Sequence, residues 1–142
     1  MKIVVLHESM FGNTRQIAEA IARGAQDAAT GVDVVCLRVG ESDPGELRAA
    51  DLLVVGGPTH IRGMSSGTTR KMGLSSEAKK AAEEQHEIEP EAEGPGVRDW
   101  FGELPKAPKG ARAAAFDTRV DARMAGGAAQ ASPADCDDTR TS

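Results

Sequence analysis

Residues 2–7, Lys-Ile-Val-Val-Leu-His, place four large apolar side chains in consecutive positions, three of them β-branched. Such a run is too short for a buried helix, and without polar alternation it offers no face to water. It therefore reads as a strand covered on both sides. Strands of that kind belong to parallel sheets, where neighbouring strands are joined by crossovers that are usually helical. The first seven residues thus constrain the rest of the chain to an α/β arrangement with helices on both faces.

The downstream sequence supplies that arrangement. Glu8 to Asn13 carries Ser, Gly and Asn and reads as a turn. Thr14 to Ala28 follows with Ile17, Ala18, Ile21, Ala22 and Ala25 at helical spacing. Asn13 or Thr14 is the expected N-cap, and Gly31 falls beyond the helix where a left-handed residue is wanted. Val32 to Val39 reads as a second strand. Gly40 to Ala50 holds a Ser-Asp-Pro-Gly turn and a brief amphipathic piece around Leu47, and Asp51 to Val55 is a third strand ended by Gly56-Gly57-Pro58. The alternation is that of a doubly wound α/β sheet, which binds ligands beyond the C-terminal ends of its strands.

Large apolar side chains are unevenly spread: 21 of the 31 Val, Ile, Leu, Met, Phe and Trp residues lie in residues 1–64. The core must be organised from the N-terminal half, because Ala, abundant elsewhere, buries little area. After Met72 and Leu74 the sequence turns polar. Residues 77–93 hold seven Glu against Lys79 and Lys80, a charge of -5 that equals the net charge of the whole chain. A solvated helix and loop is expected there. Val97, Trp100, Phe101 and Leu104 recur at helical spacing between Pro95 and Pro105, which assigns Trp100 to the core. Ala111 to Phe116 is the fourth strand. Residues 126–142 contain no large apolar side chain, so the expected organisation is one domain over residues 1–124 followed by a disordered tail, 125–142.

Several functions are disfavoured by this composition. Seventeen Lys plus Arg against 22 Asp plus Glu argue against a nucleic-acid surface. Ile3 to Leu6 falls short of a secretory h-region of about 7–15 residues, and no stretch has membrane-span length, so a cytoplasmic location is expected. Cys36 and Cys136 stand 100 residues apart with no CxxC or His-rich companion. Neither a metal site nor a disulfide framework is indicated, and Cys36 reads as a buried, inert thiol.

The chemistry concentrates in Ser9-Met10-Phe11-Gly12-Asn13-Thr14, between a buried strand and a helix. A phosphate needs inward-pointing N–H groups and hydroxyls, and a helix N-terminus adds a favourable dipole. Gly12 permits close backbone approach, while Ser9 and Thr14 offer hydroxyls. The loop is neither GxGxxG nor GxxxxGK[ST], which speaks against a dinucleotide fingerprint or a nucleoside-triphosphate loop.

The run Val5 to Thr14, with Ala18 and Ile21 on the helix, resembles the phosphate loop of the flavodoxin and flavodoxin-like family of flavin mononucleotide (FMN) proteins. His7 departs from the Tyr or Phe usual there. Asp51 to His60 is similar to the family's third strand and the loop reaching one face of the isoalloxazine. A weaker match is Phe116-Asp117-Thr118-Arg119, where the family places its other flavin-facing loop after the fourth strand. The resemblance implies FMN as cofactor, held by Ser9, Met10, Phe11, Gly12, Asn13 and Thr14, by Pro58, Thr59, His60, Ile61 and Gly63, and by Asp117, Thr118 and Arg119. It implies no catalytic protein nucleophile and no metal. His60 would hydrogen-bond or stack on the flavin edge, Ile61 and Met64 would cover the ring, and Arg119 would approach a flavin carbonyl or anionic N1.

Two departures shape the expectation further. The chain has no Tyr, and residues 56–66 hold no aromatic, so the flavin would be gripped less tightly or keep an open face. The family's fifth strand and last helix find no counterpart after the fourth strand. The chain is accordingly expected to be a C-terminally incomplete or frame-altered flavodoxin-like domain of four strands. Its fourth strand would be an open edge, and the uncovered sheet a surface for homodimerisation.

The function implied is that of an FMN-binding redox protein, transferring electrons to a redox partner protein or a small quinone-like acceptor. Two alternatives stay open: a truncated or degenerate domain without flavin that is non-catalytic or serves in protein interaction, and an NAD(P)H-dependent quinone or flavin reductase. Electron transfer is preferred over a dedicated reductase, since no nicotinamide site is recognisable. A hydrolase is disfavoured: Ser9 lacks a GxSxG elbow, and His7, His60 and His86 form no recognisable triad.

Overall fold

The computed structural model describes residues 1–59, 68, 94, 96–104 and 106–119. Strand β1 (Lys2–His7) lies inside a parallel sheet of order β2-β1-β3-β4, with β2 (Asp33–Arg38), β3 (Leu52–Pro58) and β4 (Arg112–Thr118). In register, Val5 lies between Cys36 of β2 and Val54 of β3, and β3 pairs with β4 from Leu52–Arg112 to Pro58–Thr118. Val4, Val5 and Leu6 are all fully buried, as a central strand covered on both faces requires.

The period-2 alternation of β1 divides the core into two layers. Ile3 and Val5 pack with Ala18 of helix α1 (Asn13–Ala28) and with Val54; Ile21, Ala22, Ala25 and Phe116 close around them. Val4 and Leu6 point to the other face and pack with Val39, Val55, Val97 and Trp100. That face is covered by helix α2 (Pro44–Arg48), through Leu47, and by α3 (Val97–Glu103). Helices on both faces make the sheet doubly wound.

Trp100 is 8% exposed, donates its indole N–H to Ser42 Oγ at 2.8 Å, and meets Phe101 edge-on at a centroid distance of 5.0 Å. Its expected core role is observed. Cys36 is half-buried on the α1 face, and burial followed by the Glu19 carboxylate raises its thiol above the ordinary 9.0. Ile17, assigned to the apolar stripe of α1, is 47% exposed because it sits at the edge of the stripe; Ala18 is the residue pressed onto the sheet. Along β4, Ala113 and Ala114 are exposed, in keeping with an outer strand.

Four local expectations need correction. The cap of α1 is Gly12 at φ +84°, with no side-chain cap bond, rather than Asn13 or Thr14. The Ser-Asp-Pro-Gly turn starts α2: Asp43 accepts from the N–H groups of Gly45 and Glu46 at 2.8 and 3.2 Å, and Pro44 takes the first helical position. Strand β3 does not stop at Val55 but runs through Gly56-Gly57-Pro58, and β4 continues through Asp117 and Thr118. Each pair extends because the other does, and Thr59 N–H, donating to Thr118 O at 2.8 Å, makes the bond that Pro58 cannot. The Glu-rich segment 77–93, the boundary at 124 and the tail 125–142 lie outside the described residues.

Candidate functional site

The sheet order reverses between β1 and β3, since the chain leaves β1 outward to β2 and then crosses back to β3. Ligands of open α/β sheets bind in the crevice beyond the strand C-termini at such a switch point. The residues beyond β1 are Glu8 to Gly12. Glu8 N–H donates to Gly56 O at 2.9 Å, extending the β1–β3 ladder by one bond before the chain turns away.

Gly12 closes that turn. Its φ of +84° belongs to the left-handed region, where a Cβ is penalised. Gly12 N–H donates to Ser9 Oγ at 3.0 Å, which uses Ser9 as an acceptor and leaves its hydroxyl proton to donate. The first bond of α1 runs from Gln16 N–H to Gly12 O at 3.0 Å, so the helix supplies no acceptor to the N–H groups of Asn13 and Thr14. Its first turn carries no acidic side chain. A 16-residue helix thus presents its positive end, with a neighbouring hydroxyl, to the crevice.

Thr14 is 2% exposed, and its Oγ1 lies 2.7 Å from Thr118 Oγ1 at the end of β4. Thr59 Oγ1 donates to Asp117 Oδ2 at 3.3 Å. Three of the segments singled out from the sequence therefore meet: the loop after β1, the end of β3, and the end of β4. Within the loop Met10 is buried, Phe11 half-buried and Asn13 exposed. Pro58, Asp117 and Thr118 end paired strands rather than occupying free loops, and Arg119 follows them exposed. His60, Ile61 and Gly63, also expected here, lie outside the described residues, as does Met64.

Sequence reasoning passed over three contributors. Glu8 is 4% exposed and its Oε2 accepts from Val97 N–H at 2.8 Å, tying the start of α3 to the loop after β1. Its signal was a carboxylate directly following a buried strand, which calls for a partner. Gly56 faces the ring of Phe116 across the β3–β4 pair, and a Cβ there would overlap the ring's Cζ end. Gly57 approaches α3 so closely that a Cβ would stand 3.1 Å from Val97 Cγ2. Both glycines are strand residues selected by close approach rather than by a turn.

Comparison with known proteins meets this geometry. The flavodoxin family model matches residues 5–95, the stretch that holds the C-terminal half of β1, all of β3 and the loop of Ser9 to Thr14. The chain belongs to the flavodoxin family. Among solved structures, a flavodoxin from the domain Archaea aligns over 92% of this chain and 69% of its own length, with 23% identity and a TM-score of 0.56. Oxidised flavodoxin 2 from Bacillus cereus aligns over 84% of this chain and 62% of its own, with 23% identity and a TM-score of 0.47. No match is found among curated proteins. Membership of the flavodoxin family implies a flavin cofactor, and the donor set at the head of α1 fits the phosphate such a cofactor can carry: N–H groups, hydroxyls, a close-approach glycine and no acid in the first turn. Among the described residues no helix is long and apolar enough to cross a membrane, and no group of three or more His, Cys, Asp or Glu side chains could hold a metal ion.

Proposed function

We propose that this chain binds FMN at the C-terminal ends of β1, β3 and β4 and serves as an electron-transfer flavoprotein. The observation that carries the reading is the N-terminus of α1, which has no side-chain cap bond and stands beside the hydroxyls of Ser9 and of Thr14 in its first turn. Such an end favours a dianion more than a neutral group. Ser9, Met10, Phe11, Gly12, Asn13 and Thr14 would surround the phosphate. Pro58 and Thr59, with His60, Ile61 and Gly63, and Asp117, Thr118 and Arg119 would border the ring. When bound, the flavin supplies the redox chemistry; the chain's own residues bind and orient it.

The net charge of -5 favours a basic redox protein in the cytoplasm as partner over a small quinone-like acceptor. The test is titration of flavin-free protein with FMN and with riboflavin, following flavin fluorescence. Tighter binding of FMN is expected. Equal affinities would remove the phosphate reading, and no binding of either would leave an interaction domain without flavin.

A further inference from the structure

We propose that Thr118, at the end of β4, positions the hydroxyl of Thr14 to donate to an anion, and so sets how strongly the site prefers a phosphorylated flavin over an unphosphorylated one. The inference rests on the FMN reading above and concerns a residue 104 positions away from the loop it serves.

Thr14 Oγ1 and Thr118 Oγ1 stand 2.7 Å apart, and either can donate to the other. Two hydroxyls carry two protons, and only one can lie between the two oxygens. If Thr14 donates to Thr118, its proton is spent, and only lone pairs face an incoming anion. If Thr118 donates, Thr14 keeps its proton for the anion, and a hydroxyl that already accepts a bond donates a stronger one. An anion at the head of α1 selects the second arrangement.

Ser9 obeys the same logic, accepting from Gly12 N–H at 3.0 Å while its proton remains to donate. Thr118 is well held for this task. Its carbonyl accepts from Thr59 N–H at 2.8 Å, and the adjoining Asp117 carboxylate accepts from Thr59 Oγ1 at 3.3 Å. The donor to Thr14 is therefore preorganised by the end of β3, and the loop after β1 is tuned by a strand with which β1 is not paired.

The test is the ratio of FMN to riboflavin affinity, measured by fluorescence titration of the full chain carrying Thr118→Val, Thr118→Ser, Thr14→Val, or Thr14→Val with Thr118→Val. Thr118→Val is expected to reduce the preference for FMN by a factor of about 3–10, the range of one net hydrogen bond. Thr118→Ser is expected to keep it, which also shows that position 118 can be changed without loss of the fold. In the Thr14→Val background, Thr118→Val is expected to change the ratio no further. Equal losses for both flavins would overturn the proposal in favour of a purely structural tie, as would independent effects of the two substitutions. A wild-type chain with no preference for FMN removes the phosphate reading and this inference together. A wild-type preference that Thr118→Val leaves intact removes this inference alone.

Discussion

Replacing Gly56 by Ala probes the contact that keeps β3 and β4 together at the site. The Cβ built at Gly56 meets Cζ, Cε1 and Cε2 of Phe116, so the added methyl would enter the outer half of the ring. A cross-strand aromatic laid over a glycine fills the space a side chain would otherwise take. The ring must swing away, and on leaving it loses contact with the layer of Ile3, Val5, Ala18 and Val54. Full burial of a Phe is worth about 1.5–3 kcal/mol, of which a half-buried ring forfeits about half. Overpacking strain in what remains adds about 1–2 kcal/mol. The expected loss is about 2–3 kcal/mol. In a urea titration with a slope of about 1–3 kcal/mol per molar, that lowers the midpoint by about 0.7–3 M at unchanged slope. Phe116→Ala should also destabilise, but in its background Gly56→Ala should cost less than about 0.5 kcal/mol, because the obstructing ring is gone. Simple additivity of the two substitutions, or an unmoved midpoint for Gly56→Ala, would refute the account of glycine selection at this position.

Three further expectations follow from the same geometry. Glu8→Ala strips the buried Val97 N–H of its acceptor and should cost about 1–3 kcal/mol, with a red-shifted Trp100 emission as α3 loosens, whereas Glu8→Gln should retain most of the stability; unchanged emission and melting temperature in Glu8→Ala would count against the tie. Gly12→Ala forces a Cβ into φ +84° and should cost about 1–2 kcal/mol in thermal unfolding while weakening FMN binding; a variant as stable as the parent would show that the loop tolerates another path. Burial, then Glu19, raises the Cys36 thiol above 9.0, so the folded state holds that proton longer than the unfolded one. Its contribution to stability is whole below pH 9.0 and is lost as pH rises through the raised value. Alkylation of Cys36 at pH 9, read by peptide mass, should therefore run slower in the folded chain than in urea, and equal rates would contradict the shift.

Much of the architecture was legible residue by residue. Ile3 to Leu6 announced a strand covered on both faces, the spacing of Ala18, Ile21, Ala22 and Ala25 announced the helix beside it, and Trp100 with Val97 and Leu104 announced the short helix on the opposite face. The loop of Ser9 to Thr14 was legible for a similar reason, since a hydroxyl, a close-approach glycine and a helix start stand together in sequence. The misread positions were those whose local chemistry says turn. Gly56-Gly57-Pro58 and Ser42-Asp43-Pro44-Gly45 carry strong turn signals, yet the first is strand and the second caps a helix. In the first case Phe116 and Val97, about 60 and 40 residues downstream, set the demand for glycine.

The sequence alone determined the strands along the chain, their alternation with helices and the glycine-bearing turn that opens α1, because each is encoded in a local period or a contiguous motif. Tertiary structure alone decided that β3 and β4 extend into the site, that Glu8 holds the start of α3, and that Thr14 answers to Thr118. Those arrangements depend on pairs 58 to 104 residues apart, such as Thr59 with Asp117 and Thr14 with Thr118. No local pattern contains both members of such a pair; only the order β2-β1-β3-β4 brings them within hydrogen-bond reach.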